Sequence, residues 1–162
     1  MKAFKHFIKK STTGILSGIV LLMLISSPAT GMSRPQQLPH ISIEAQQAKL
    51  SPMIIGSASV FMNIVNSGGA DVLTGVALDV PGAIAEMHDT KDGKMVKLEK
   101  ISIPANETVE LKPGGMHIMI FHLPEDTKEG LEFNIHLQFE RSGERQIRVQ
   151  LMGTDTHMHM HH

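Results

Sequence analysis

Nine short runs of β-branched or alternating apolar residues follow one another from Ile41 onward, and each gap between them carries glycine, proline, asparagine or aspartate. The runs are "ISIEAQQAK", "SASVFMNIVN", "VLTGVALDV", "AIAEMH", "KMVKLEKISI", "TVELK", "MHIMIFHL", "LEFNIHLQF" and "RQIRVQLM". Strands at this close spacing predict an all-β sandwich or barrel. The breaks supply the chemistry that tight turns need, with positive φ from "NSGGAD", "KDG" and "RSGER" and fixed φ from the prolines of "DVPGA", "IPANET" and "KPGG". No segment sustains a helical period; "PEDTKEG", residues 124–130, is expected to make one short helical turn.

The ends of the chain read differently. "MKAFKHFIKKSTTGILSGIVLLMLISSPAT" has a lysine-rich leader, an apolar stretch from Ile15 to Ile25 and a small-x-small Ser27-Pro28-Ala29 arrangement. This is the layout of a secretory signal peptide over residues 1–29, cleaved after Ala29. Its apolar stretch is short of the roughly 20 residues that a spanning helix needs. Residues 30–40, with Pro35 and Pro39, form a linker, and the domain covers residues 41–152. Residues 153–162 have no apolar face to bury and form a tail. The chain is expected in the periplasm, free of the membrane after cleavage.

Lysine plus arginine number 15 and aspartate plus glutamate 16, so no single-sign field recruits nucleic acid or an anionic membrane. The 12 methionines and 10 histidines stand beside no cysteine at all, leaving soft thioether and imidazole donors without thiolates. A lipoprotein would need a cysteine after the cleavage site, and the exported fold must hold without disulfides.

One run places such donors together. Within "MHIMIFHL", side chains two apart in a strand point the same way, roughly 7 Å apart. His117, Met119 and Phe121 therefore share one face, while Ile118, Ile120 and His122 line the other. A two-donor pair needs company, and the "AEMHDTKDGKMVKLEK" hairpin provides it: its Asp92-Gly93 turn brings His88 and Met95 onto adjacent strands.

These residues resemble the periplasmic copper chaperones called PCu(A)C, whose signature is H(M)-x10-M-x21-H-x-M. Met95 is followed by twenty-one residues and then by His117-Ile118-Met119. "AEMHDT" and "KMVKLEKISIPANETVELKPGGMHIMIFHL" follow the family's order, and the resemblance runs from Ile41 to Met152. Here six residues, not ten, separate His88 from Met95. An even-numbered deletion keeps side chains on their face, because strand faces repeat every two residues. The resemblance implies a cupredoxin-like or immunoglobulin-like β-sandwich and a Cu(I) site made by His88, Met95, His117 and Met119, gathered at one exposed corner. It also implies delivery of copper, with a Sco-type thioredoxin-like protein, to the binuclear centre of cytochrome oxidase subunit II or another cuproenzyme.

The donor set is chemically coherent beside the resemblance. Two imidazoles and two thioethers are neutral and relatively soft, suited to monovalent copper and poorly suited to magnesium or calcium; blue-copper chemistry would require a cysteine. Met87 and Met116 alternate to the other face and are assigned to packing or to the rim, and His40, His122 and His136 to surface or core. The "HMHMHH" run, His157, Met158, His159, Met160, His161 and His162, reads as a second, low-specificity site that takes Cu(II) through histidine and Cu(I) through methionine. The competing function is copper sequestration without a dedicated acceptor. No nucleophile elbow, zinc-protease motif or paired carboxylate marks an enzyme.

Overall fold

Along β2 (Ala58–Asn66) the alternation is regular, with Ala58, Val60, Met62 and Ile64 buried and the intervening residues half-buried. A strand of this pattern, covered on one face and partly covered on the other, belongs in the middle of a sheet. In the computed structural model, which describes residues 37–153, it does lie there. The described residues contain ten strands and no helix.

β2 pairs antiparallel with β1 (Ile41–Leu50) on one side. On its other side it is met in succession by β7 (Thr108–Leu111) and β8 (His117–Phe121), two pieces of one broken strand. β4 (Ile84–Lys91) pairs with β8, and β5 (Lys94–Lys97) closes that edge. The second half runs β10-β9-β3-β6, formed by β10 (Gly143–Met152), β9 (Glu132–Phe139), β3 (Asp71–Leu78) and β6 (Ile101–Ile103). A brief parallel contact, Ala48 with Leu151 and Lys49 with Met152, joins the halves. The ten strands thus form one curled sheet whose inner faces enclose the core. Val60, Met62, Met87, Ile118 and Ile120 come from the first half, and Leu73, Ile103, Ile135, Leu137 and Phe139 from the second.

Two expectations change. "KMVKLEKISI" is two strands: β5 pairs with β4, and after Leu98 donates its N–H to the Met87 carbonyl at 2.8 Å the chain crosses to the other half, where β6 pairs with β3. Residues 124–130 make two separate turns, with Thr127 N–H donating to the Pro124 carbonyl and Leu131 N–H to that of Lys128. Seven residues with no apolar face and Gly130 at φ 91° have nothing to hold a helix in place. Residues 37–40 are anchored: Leu38 and His40 carbonyls accept from the Gly69 and Ser67 N–H groups, and Arg141 reaches the Gln37 carbonyl. The signal segment and the His/Met run at 157–162 lie outside the described residues.

Candidate metal centre

Asp92 and Gly93 take φ of 51° and 72°, the paired positive values of a two-residue type I′ loop, whose twist matches that of the strands it joins. The loop fixes the β4–β5 register, setting Thr90 opposite Met95 and His88 opposite Lys97. On the other side of β4, His88 lies opposite His117 and Glu86 opposite Met119, and Met119 in turn lies opposite Ser59 of β2. Directly opposed residues project to the same face. Glu86, His88, His117 and Met119 therefore form a two-by-two square on the outer face, while Met87, Ile118 and Ile120 project into the core.

The square is not an exposed corner. His88, His117 and Met119 are only 8 %, 6 % and 3 % exposed, although they face away from the core. The two imidazole rings lie 6.0 Å apart between centroids, with Phe61 at 6.3 Å from His117 and Phe121 at 5.9 Å from His88. Met95 is different, at 48 % exposure. It occupies the same face one strand and one step beyond His88, a diagonal separation of about 7–8 Å between Cα atoms. The structure thus brings three of the four expected donors into one buried cluster and sets the fourth at its rim.

Hydrogen bonding fixes which atoms are free to bind. His117 Nδ1 lies 2.9 Å from the Gly115 carbonyl. A carbonyl only accepts, so Nδ1 carries the proton and Nε2 keeps its lone pair. In His88 the arrangement is reversed: Nε2 is 3.0 Å from Glu86 Oε2 and donates to it, leaving Nδ1 as the lone-pair nitrogen. That Nδ1 is buried and finds no hydrogen-bond partner among the described residues. An unmatched buried acceptor costs about 1–3 kcal/mol, a cost that binding an ion would remove. Ser59 Oγ donates to Met119 Sδ at 3.2 Å, which orients the thioether and leaves its second lone pair available. Among the described residues no three histidine, aspartate or glutamate side chains converge as a metal site, so an ion held here must draw on sulfur as well as on the two imidazoles.

Glu86 was not among the residues singled out from sequence, nor were Lys97, Ser59 and Gly115. Both Glu86 oxygens are engaged: Oε1 accepts from Lys97 Nζ at 2.7 Å and Oε2 from His88. The Lys97 hydrogen bond, with that of His88 behind it, holds the Glu86 carboxyl below the usual range, and the same contact raises Lys97. The available signal was spacing. Glu86 and Gly115 each stand two residues before a histidine, Glu86 on the same strand and Gly115 in the loop that leads into β8, within reach of its ring.

Known proteins can now be set beside this geometry. Residues 41–151 match the family model described as "Putative lipoprotein LpqE-like". The chain belongs to the LpqE-like family of PCu(A)C domains. Its 162 residues include no cysteine to carry a lipid. The chain is 24 % identical over 127 residues to "Putative lipoprotein Lxx21020" of Leifsonia xyli, covering 75 % of each. It is also 24 % identical over 135 residues to the uncharacterized protein RP573 of Rickettsia prowazekii, covering 80 % of this chain and 70 % of that one. Among solved structures, the apo PCuAC domain of PmoF1 aligns with TM-score 0.60 at 22 % identity, over 71 % of this chain and all of that domain. The copper-bound PCuAC domain of PmoF2 aligns with TM-score 0.57 at 24 % identity, covering 70 % and 93 %. Cu(I)-bound DR1885 of Deinococcus radiodurans aligns at 0.53 and 20 %, covering 76 % and 83 %. These likenesses establish the all-β sandwich fold. No helix among the described residues is long and apolar enough to cross a membrane.

Proposed function

We propose that this protein is an exported, periplasmic carrier of Cu(I). The observation that carries the reading is the unpartnered, buried Nδ1 of His88 on the same face as the free Nε2 of His117 and the Met119 thioether. Three neutral donors, two of nitrogen and one of sulfur, suit a monovalent soft ion whose charge they do not have to balance. Solved relatives of the same fold hold copper, one of them as Cu(I). In this reading copper is cargo: no residue is asked to perform a chemical step, and the protein is not an enzyme.

The unequal exposure of the donors gives a route for transfer. Met95 completes the set from the rim, where solvent or an acceptor reaches it first. An incoming thiolate displaces the Met95 sulfur, takes up the ion beside the buried three, and draws it off as the imidazoles are released in turn. The acceptor of this scheme is a thiol-bearing copper protein, with a Sco-type protein or cytochrome oxidase subunit II as the expected class. The terminal His157–His162 run forms a separate copper site that admits Cu(II).

Competition against a Cu(I) chelator tests the main site. His117→Ala and Met119→Ala should each weaken binding by tenfold or more, whereas Met95→Ala should have a smaller effect on affinity and a larger one on the rate of transfer to a dithiol acceptor. Unchanged Cu(I) affinity in His117→Ala would refute the site. Failure of every thiol acceptor to remove the ion would leave sequestration as the function. A chain ending at Gly153 should lose the Cu(II) binding event and keep the Cu(I) one.

A further inference from the structure

The outer-face square contains a second, harder donor set that is held out of use. Glu86 stands on the same face as His88 and His117, two residues before the first and diagonally across from the second. Two imidazoles and one carboxylate make the His2Glu ligand set of zinc sites. A carboxylate in the first shell shifts a site from soft monovalent ions toward divalent ones. The three do not converge as they stand. The reason is visible at Glu86: Oε1 is taken by Lys97 Nζ at 2.7 Å and Oε2 by His88 Nε2–H at 3.0 Å.

We propose that Lys97 is a metal-specificity residue: its ammonium holds Glu86 away from the site, so that His88 and His117 are offered with thioether sulfur and without a carboxylate. This rests on the Cu(I) reading of the same cluster. Lys97 comes from β5 directly opposite His88, so the hairpin turn that places Met95 at the rim also places the ammonium. One short strand thus brings a soft donor to the site and restrains the hard one. The Lys97 side chain is about half exposed (55 %), and its loss leaves no cavity in the core. Removing it leaves Oε1 without its cation, and Glu86 gains freedom to turn toward the site and coordinate beside the two imidazoles.

The test uses the full chain, with Zn(II) and Cu(I) as separate probes. It is read at the side-chain 15N resonances of His88 and His117, so that metal held by the terminal histidines does not enter the signal. In the wild type, Cu(I) should shift both imidazoles, and Zn(II) should do so only at high concentration. In Lys97→Ala, Zn(II) should bind at His88 and His117 tighter by a factor on the order of ten to a hundred, the range for changes around first-shell ligands. Lys97→Arg, which keeps a cation on Glu86, should behave as wild type. Lys97→Ala combined with Glu86→Gln should lose the gain. The amide spectrum of β8 reports that each variant is folded. Equal Zn(II) affinity in wild type and Lys97→Ala, or a gain that survives Glu86→Gln, would overturn the proposal while leaving the Cu(I) site intact. Cu(I) failing to shift either imidazole in the wild type would instead remove the carrier reading and this proposal with it.

Discussion

Adjacent residues of β8 serve two different environments, and separating them is the most direct test of the fold and the site together. Ile118 is fully buried in the core beside Val60, Met87 and Ile120, while His117, one residue earlier, faces the outer square. Ile118→Ala removes three carbons, about 0.8 kcal/mol each in transfer free energy, roughly 2.4 kcal/mol in all. The unfilled space left behind adds a further cost of about 24 cal/mol per Å3, so a total of about 3–4 kcal/mol is expected, within the range for such truncations. Against a total stability on the order of 5–15 kcal/mol this is a large loss. The copper response should be untouched. With free Cu(I) held at a hundred times the dissociation constant, binding to the folded chain alone stabilises it by about 2.7 kcal/mol. Urea unfolding with and without buffered Cu(I) measures both quantities. Ile118→Ala should shift both curves down and keep their separation; His117→Ala, with binding weakened tenfold or more, should cut the separation to about 1.4 kcal/mol or less. If Ile118→Ala abolishes the copper increment while the chain remains folded, the two faces are not independent and the assignment of β8 is wrong.

Other consequences concern the scaffold. The buried Asp71 carboxylate feels desolvation as the largest single influence, which raises its pKa, but the nearby Ser142 hydroxyl and the hydrogen bonds from the Arg141, Val72 and Ser142 N–H groups together outweigh it and leave the pKa lowered. Its contribution is therefore present above the ordinary carboxylate value of about 3.9 and lost as pH falls through the folded value; in Asp71→Asn, urea midpoints should lose that part of the acid dependence. His136 bridges Glu144 at 3.0 Å and Asp79 at 2.8 Å, contacts that raise its pKa. That stability is full below the unfolded histidine value of about 6.5 and disappears as pH rises through the folded value, provided the carboxylates stay ionised. His136→Gln should flatten the unfolding profile from about pH 6.5 upward, and an unchanged profile would remove the clamp. In Gly69→Ala the added Cβ would collide with the Gln37 carbonyl, a backbone group that cannot rotate aside; a loss of about 1–3 kcal/mol in urea unfolding is expected, as for overpacked interiors.

The strand pattern was legible where alternation survives: β2 and β9 could be read residue by residue. The break after Lys97 was not. In "KMVKLEKISI" the alternation slips at Met95-Val96 and again at Glu99-Lys100, too little to separate two strands by itself, and the switch between halves is set by tertiary pairing, the first part with β4 and the last with β3. His122 shows the same limit. It would continue the inward face of β8, but its φ of 59° ends the strand and turns it outward. At the site, the candidate donors could be named from the family resemblance and their spacing, while their burial could not. An outer face carrying histidine and methionine reads as a partly wet surface, and only the assembled sheet sets Phe61 and Phe121 beside the two rings. The Glu86–Lys97 contact was hidden because a glutamate and a lysine eleven apart meet only when the Asp92-Gly93 loop sets the register.

The two histidines are positioned by the same local device in different chemical form. Each ring donates its N–H to an acceptor two residues earlier in sequence, the backbone carbonyl of Gly115 in the loop before β8 for His117 and the Glu86 carboxylate on β4 for His88. The choice of nitrogen is therefore settled by local sequence, before the strands meet, and the β4–β8 register sets the two rings opposite one another, 6.0 Å apart. A site prepared this way leaves little to order on binding, which favours affinity by lowering the entropic cost of assembling the ligands. It also predicts where flexibility has to reside. In the proposed carrier, release by loosening β4 or β8 would break the sheet that supports the core, so exchange is proposed to begin at Met95, exposed on the short edge strand. Replacing the Asp92-Gly93 turn with a longer, flexible loop should therefore speed Cu(I) transfer to a dithiol while leaving the imidazole 15N signature of the metal-free site unchanged. A change in that signature would mean that β5 helps set the tautomers and that the two functions of the hairpin are not separable.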